Sequence, residues 1–131
     1  MRLYHGSPKK LAIIRPRLAK GLSDFENQKA VFLCKSFKQT ALYAIGKTLK
    51  GEAIFAVSPR RLIIVGDNKP RSGYVYEVDV KKIIKGKRGQ YAYERNIKPI
   101  KRFIVKPEDY NKFIVYVKDK NELLRRLNLK K

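Results

Sequence analysis

Cysteine, histidine and acidic residues are scarce in this chain of 131. Cys34 is the single cysteine, so no internal disulfide and no cysteine zinc cluster can form. That usage fits a reducing compartment. The opening Met1-Arg2-Leu3-Tyr4-His5-Gly6 lacks the apolar core of a signal peptide, and no apolar run is long enough to cross a bilayer. A cytoplasmic protein with no membrane partner is expected. The sequence has no glycine-rich phosphate loop, no His-x-Glu metal pair and no Ser-His-Asp order that geometry would favour. No metal is expected.

The shortage of acid shapes the surface. Only 11 Asp and Glu stand against 32 Lys and Arg, a formal charge of +21. Self-repulsion of that size destabilises a compact chain unless something offsets it. A phosphate backbone does so by exchanging condensed counterions for protein cations, so nucleic acid is the expected partner. A solubility surface, a thermophile's charge load and an anionic membrane surface are the alternatives. A thermophile surface carries more balanced acids and bases, and no long basic amphipathic helix stands out for a membrane.

Against these scarcities, 44% of residues are hydrophobic and 11% aromatic, which sets the chain apart from disordered ones. The length suits one domain, 1–131. Arg2 to His5 reads as a strand ending at the breaker cluster Gly6-Ser7-Pro8. Residues 9–29 read as irregular, with a capping signal at Ser23 to Glu26. Ala30 to Cys34 reads as a buried strand. Ser36 caps the clearest helix, with Phe37, Thr40, Ala41, Ala44, Ile45 and Thr48 on one face and Gly51 as its stop. Strands are expected at Glu52 to Ser58, Arg61 to Val65, Tyr74 to Asp79, Gln90 to Tyr93, Ile97 to Val105 (with an edge or a bulge at Pro99) and Phe113 to Val117. Asp119 or Asn121 caps a short final helix with Leu123, Leu124 and Leu127 as its apolar stripe. Strands and helices do not alternate strictly, so an α+β fold is expected, with one main helix and a short C-terminal helix.

The lone histidine, His5, stands where a strand ends, beside a glycine that lets a ligand approach the backbone. Tyr4-His5-Gly6-Ser7, then Val31-Phe32-Leu33, then Thr40-Ala41-Leu42-Tyr43-Ala44 resembles the ADP-ribosyltransferase superfamily. The likeness is to its diphtheria-toxin and poly(ADP-ribose) polymerase branch and to small rifampin ADP-ribosyltransferase relatives. It covers residues 2–44 and fades beyond.

The resemblance implies a split mixed β-sheet with NAD, as substrate, in a cleft between two small sheets. It implies that His5 holds the adenosine ribose, that the Gly6 backbone bonds the nicotinamide amide with Ser7 beside it, and that Phe32 and Tyr43 sandwich the nicotinamide. Phe32 stands where the family has a tyrosine, keeping the ring and losing the hydroxyl. Thr40, three residues before Tyr43 on one helix face, is implied to touch the amide.

Gln90-Tyr91-Ala92-Tyr93 resembles the family's strand that begins with a catalytic Glu, but Gln90 takes that place. A glutamine bonds a ribose hydroxyl without charge. A carboxylate would stabilise a cationic transition state, so its loss lowers transferase efficiency. Glu94, an even number of residues on, can face the same way. Glu52 and Glu77 are weaker candidates.

Outside the resemblance, Lys85, Lys87 and Arg88 read as a basic glycine-bearing loop beside Tyr91 and Tyr93. That mixture suits single-stranded nucleic acid, with a solvated turn as the alternative. Three functions follow. One is an NAD-dependent mono-ADP-ribosyltransferase-like protein acting on or binding nucleic acid. Another is a catalytically inactive nucleic-acid-binding module of the same fold. The third is an RNA 2′-phosphotransferase, whose several cleft arginines and longer N-terminal domain this chain is expected to lack.

Overall fold

The computed structural model describes residues 1–18, 29–50, 54–58, 61–81, 84–85 and 89–128. It is an α+β fold with two sheets. The strands are β1 (Arg2–Ser7), β2 (Arg17–Leu18), β3 (Lys29–Cys34), β4 (Phe55–Ser58), β5 (Arg61–Val65), β6 (Gly73–Asp79), β7 (Ile84–Lys85), β8 (Gln90–Tyr93), β9 (Lys101–Val105) and β10 (Ile114–Val117). The helices are α1 (Phe37–Gly46), α2 (Lys120–Asn128) and a 3-10 segment at Pro107–Phe113. The larger sheet runs β7-β8-β3-β1-β6-β9, with β2 also on β3, and its pairings are all antiparallel. Parallel pairing is confined to the smaller sheet, β10-β5-β4, where β10 lies parallel to β5. Among the described residues no helix is long and apolar enough to cross a membrane.

Helix α1 begins as its sequence predicts, with Ser36 Oγ accepting from the Gln39 amide at 3.2 Å. It stops at Gly46, earlier than the expected Gly51, which lies outside the described residues. Thr48 ends it by donating its hydroxyl to the Ile45 carbonyl at 2.6 Å and accepting from the Arg71 amide at 2.7 Å. The helix is buried on two sides, where the sequence pattern gave it one apolar face. Ala41, Leu42, Ala44 and Ile45 are all inaccessible, because the helix lies between the two sheets. On the larger sheet it approaches so closely that a Cβ on Gly6 would sit 2.7 Å from the Thr40 carbonyl oxygen. One on Gly73 would sit 2.8 Å from that of Ala44. On the smaller sheet Gly46 takes the Phe55 ring. Small residues at the contact let backbones approach and pack at interior density.

The core has three parts. Leu42, Ile45, Leu62, Ile64, Val75 and Val105 fill the space around α1. Leu3, Val31, Leu33, Tyr76 and Val78 cover the other face of the larger sheet, under the segment that carries Ile14. Ile63, Val117 and Leu123 seat α2 on the smaller sheet. Burying each large aliphatic contributes roughly 1.5–3 kcal/mol.

Several expected elements differ. Ile97 makes only an isolated bridge with Ile14, and the strand after Pro99 starts at Lys101. Proline interrupts the ladder because it has no amide proton to give. Lys85 belongs to a short strand, not a loop, pairing with Tyr91; Lys87 and Arg88 lie outside the described residues, as do Ser23 to Glu26 and Glu52. Asp119 caps α2 through the Glu122 amide at 2.9 Å, but Leu124 points outward, 44% exposed. The 3-10 turn at Pro107 has no apolar period to announce it.

Candidate functional site

β1 is paired to β6 at every residue from Arg2 to Ser7. Against β3 its register is the single pair Tyr4↔Cys34. Further along, the same edge of β3 is taken by β2, through Arg17↔Ala30 and Leu18↔Lys29. Between these two points the sheet opens. His5 fills part of the gap, its Nδ1 2.9 Å from the Phe32 carbonyl oxygen. A carbonyl only accepts, so Nδ1 carries the proton and Nε2 is left as an acceptor.

Side chains alternate along β1. Tyr4 and Gly6 face α1, whereas Leu3, His5 and Ser7 face the opposite side. The expected ligand-binding residues therefore divide between two cavities. The first, about 190 Å³, is lined by Tyr4, Gly6, Phe32, Cys34, Thr40, Tyr43, Lys47 and Gln90 among others. The second, about 550 Å³, is lined by His5, Gly6, Ser7, Lys9, Arg15, Arg17 and Lys47 among others. They meet at Gly6 and Lys47. Among the described residues the cavities are lined by the larger sheet, by α1 and its C-terminal end and by the segment before β2, and by no residue of the smaller sheet.

In the first cavity the chemistry is mostly apolar and aromatic. Phe32 and Cys34 alternate onto its floor from β3, and Gln90, the register partner of Cys34, joins them from β8. Thr40 Oγ1 donates to the Ser36 carbonyl at 2.7 Å. Its proton is thus committed to the helix, and the oxygen is left to accept, as from an amide NH₂. The volume is below the ~300–1,000 Å³ of drug-sized sites and suits one planar ring.

The second cavity is cationic. Burial and then the Lys47 ammonium push the His5 pKa down to about 4, with Arg17 adding to the effect and the Phe32 carbonyl opposing it. The imidazole is neutral at physiological pH. Lys47, at the C-terminal end of α1, donates from Nζ to the Gly6 carbonyl at 3.1 Å. Burial first and Arg17 second lower its pKa. As a residue Lys47 retains accessible surface. Ser7 Oγ accepts from the Lys9 amide at 3.1 Å, leaving its own proton to donate.

The wall of this cavity is irregular chain held by one buried phenol. Tyr76 is the cross-strand partner of His5 and is fully buried. Its hydroxyl accepts from the Leu11 amide at 2.6 Å and donates to the Lys9 carbonyl at 2.8 Å. Ile14 and Ile97 exchange two backbone bonds of 2.8 Å just beyond.

Not every expected residue arrives. Glu94 lies past the end of β8, exposed, and lines neither cavity. Glu77 is bridged to Arg2 at 2.6 Å. Among the described residues no carboxylate lines either cavity. Tyr91 is buried in the core and Tyr93 is partly buried against it. Gly6 also admits the helix, since a Cβ there would meet Thr40 backbone.

Lys9, Arg15, Arg17 and Lys47 are the site residues that sequence reasoning passed over. Lys47 stands four residues after Tyr43, on the stripe that includes Thr40, and that spacing was a usable signal. Arg15-Pro16-Arg17 was hidden by the basic background. Comparison with family models, with curated proteins and with solved structures finds no match for this chain.

Proposed function

We propose that this protein is an NAD-using, mono-ADP-ribosyltransferase-like protein that acts on or binds nucleic acid. The supporting observation is the pair of cavities joined at Gly6 and Lys47, one sized and lined for a planar ring and the other basic. Phe32 and Tyr43 offer ring surfaces to an electron-poor heterocycle. Thr40 Oγ1 accepts from its carboxamide. His5 Nε2 accepts from a ribose hydroxyl, which only a neutral imidazole can do. When bound, NAD supplies the glycosidic bond to be broken. Gln90 bonds a ribose hydroxyl there without the charge that a carboxylate would bring.

The lack of any carboxylate among the described lining residues favours a second reading, a module of the same shape that binds nucleic acid without catalysis. Arg15 and Arg17 in the second cavity answer part of what the phosphotransferase reading was expected to lack.

One experiment separates these. The protein is melted with and without NAD, then incubated with labelled NAD, nucleic acids and proteins. A ligand bound only by the native state stabilises it by about 2.7 kcal/mol at a hundredfold excess over Kd. A thermal shift lost in His5→Ala, together with label on nucleic acid, supports the transferase. Absence of label on any acceptor supports the inactive module, and absence of a shift removes the transferase.

A further inference from the structure

The second cavity gathers cations, and among the described residues that line it there is no opposing acid. Lys9, Arg15, Arg17 and Lys47 line it, from the irregular segment, from β2 and from the end of α1. The described acids whose contacts are known are engaged elsewhere: Glu77 with Arg2, Asp79 with the terminal ammonium, and Glu122 with Lys118 and Arg126. Like charges gathered in a hollow with low-dielectric walls raise one another's energy and focus a positive potential. The arginines cannot escape by losing a proton. His5 and Lys47, which can, are both displaced toward their neutral forms. Such a cluster is stable once an anion of matching charge enters.

We propose that the second cavity is a binding site for a phosphate group, clamped by Lys47 and Arg17, with Arg15 and Lys9 at its mouth. Arginine presents a fork of donors that matches phosphate oxygens, and lysine adds a point charge. The Ser7 hydroxyl proton, free to donate because its oxygen accepts from the Lys9 amide, completes the donor set. The site goes beyond the NAD reading and stands without it. Its phosphate comes from a nucleotide diphosphate or from the phosphorylated end of a nucleic acid.

The test uses the unmodified chain and inorganic pyrophosphate, without NAD. His5 is the one histidine, so its ring-proton resonances report the cavity without ambiguity. An anion beside Lys47 and Arg17 cancels charge that holds His5 down, so pyrophosphate raises the His5 pKa from its value near 4. Lys47→Met and, independently, Arg17→Gln weaken pyrophosphate binding by about tenfold or more, the loss of one charge-assisted contact. The control Lys101→Gln/Lys112→Gln removes as much or more charge from the outer surface and changes binding little. The proposal is overturned if the His5 resonance does not move on saturation, or if the control weakens binding as much as the cavity variants do. The source is then identified with a 5′-phosphorylated oligonucleotide, its 5′-hydroxyl counterpart and ADP-ribose. Preference for the phosphorylated end assigns a nucleic-acid terminus, and preference for ADP-ribose assigns a diphosphate. Equal oligonucleotide binding with no competition by pyrophosphate rejects the site.

Discussion

Along β6, β1 is zipped at every residue from Arg2 to Ser7; along β3 it is held at Tyr4 alone. Both seams belong to one sheet and share one strand. The closed seam presses Val75 and Gly73 against α1 and contributes core. Along the open seam the register is the single pair Tyr4↔Cys34, and beyond it His5 Nδ1 lies 2.9 Å from the Phe32 carbonyl oxygen. A buried backbone carbonyl can take a hydrogen bond from a side chain as well as from a ladder. Here a titratable side chain supplies that bond, which places a neutral imidazole beside a hollow. An interrupted ladder is a cheap way to make a site, since the rest of the sheet still holds the strands in place.

The largest break in this comparison comes from adding a methyl group to each side. Gly6→Ala places a Cβ 2.7 Å from Thr40 backbone, and Gly73→Ala places one 2.8 Å from Ala44 backbone. Backbone cannot swing aside as a side chain does, so each is expected to destabilise by about 1–3 kcal/mol in chemical denaturation. Gly6→Ala alone should also disturb both cavities, seen as loss of the NAD-induced thermal shift. Equal ligand responses in the two variants would mean that the open seam is not special.

Mild acid should strain the open seam through His5. The folded pKa of His5, about 4, lies below its ordinary 6.5, so between those values the unfolded chain takes up the proton first. Stability then rises with pH through that window and is lost as pH falls from 6.5 toward 4. The full difference is at most about 3 kcal/mol. Denaturation free energies at pH 6.5 and 4.5 should differ more in the native chain than in His5→Gln. Carboxylates shared by both proteins cancel in that comparison.

Tyr76→Phe tests how the cavity wall is held. It leaves the Leu11 amide and the Lys9 carbonyl without their partner, at a cost of about 1–2 kcal/mol. Hydrogen exchange should quicken at Leu11 and remain slow at Val78, on the same strand but away from the wall.

The smallest effect is expected at Glu94, which is exposed and outside both cavities. Glu94→Gln should change stability by less than about 0.5 kcal/mol and leave the NAD-induced shift intact. Gln90→Leu, inside the first cavity, should reduce that shift. The opposite ranking in a melting assay would move the polar contact from β8 to the residue beyond it.

Much of the secondary structure could be read in advance. The helix signal from Ser36, the alternation of Tyr74 to Asp79 and the apolar run at Ala30 to Cys34 reflect local periodicity, and each appears near its expected bounds. Gly6, Phe32, Thr40, Tyr43 and Gln90, distant in the chain, line one hollow. His5 was expected to face the same ligand surface as Tyr43 and instead faces the other side of β1, because strand alternation separates residue 5 from residue 6. The cavity cations were not legible, since in a chain with 32 basic residues no single lysine stands out.

The sequence alone determined the sign of the surface, the redox simplicity of a single cysteine and the kinds of element present, because charge, thiol count and hydrophobic period are properties of the chain itself. Tertiary structure decided that β3 leaves β1 after one pair, that α1 is enclosed from two sides, and that Lys47 and Arg17 come together near His5. Those outcomes depend on contacts between residues far apart in the chain. Each is set by which backbone edge remains unpaired and how closely a helix can approach a glycine, and no local pattern records either.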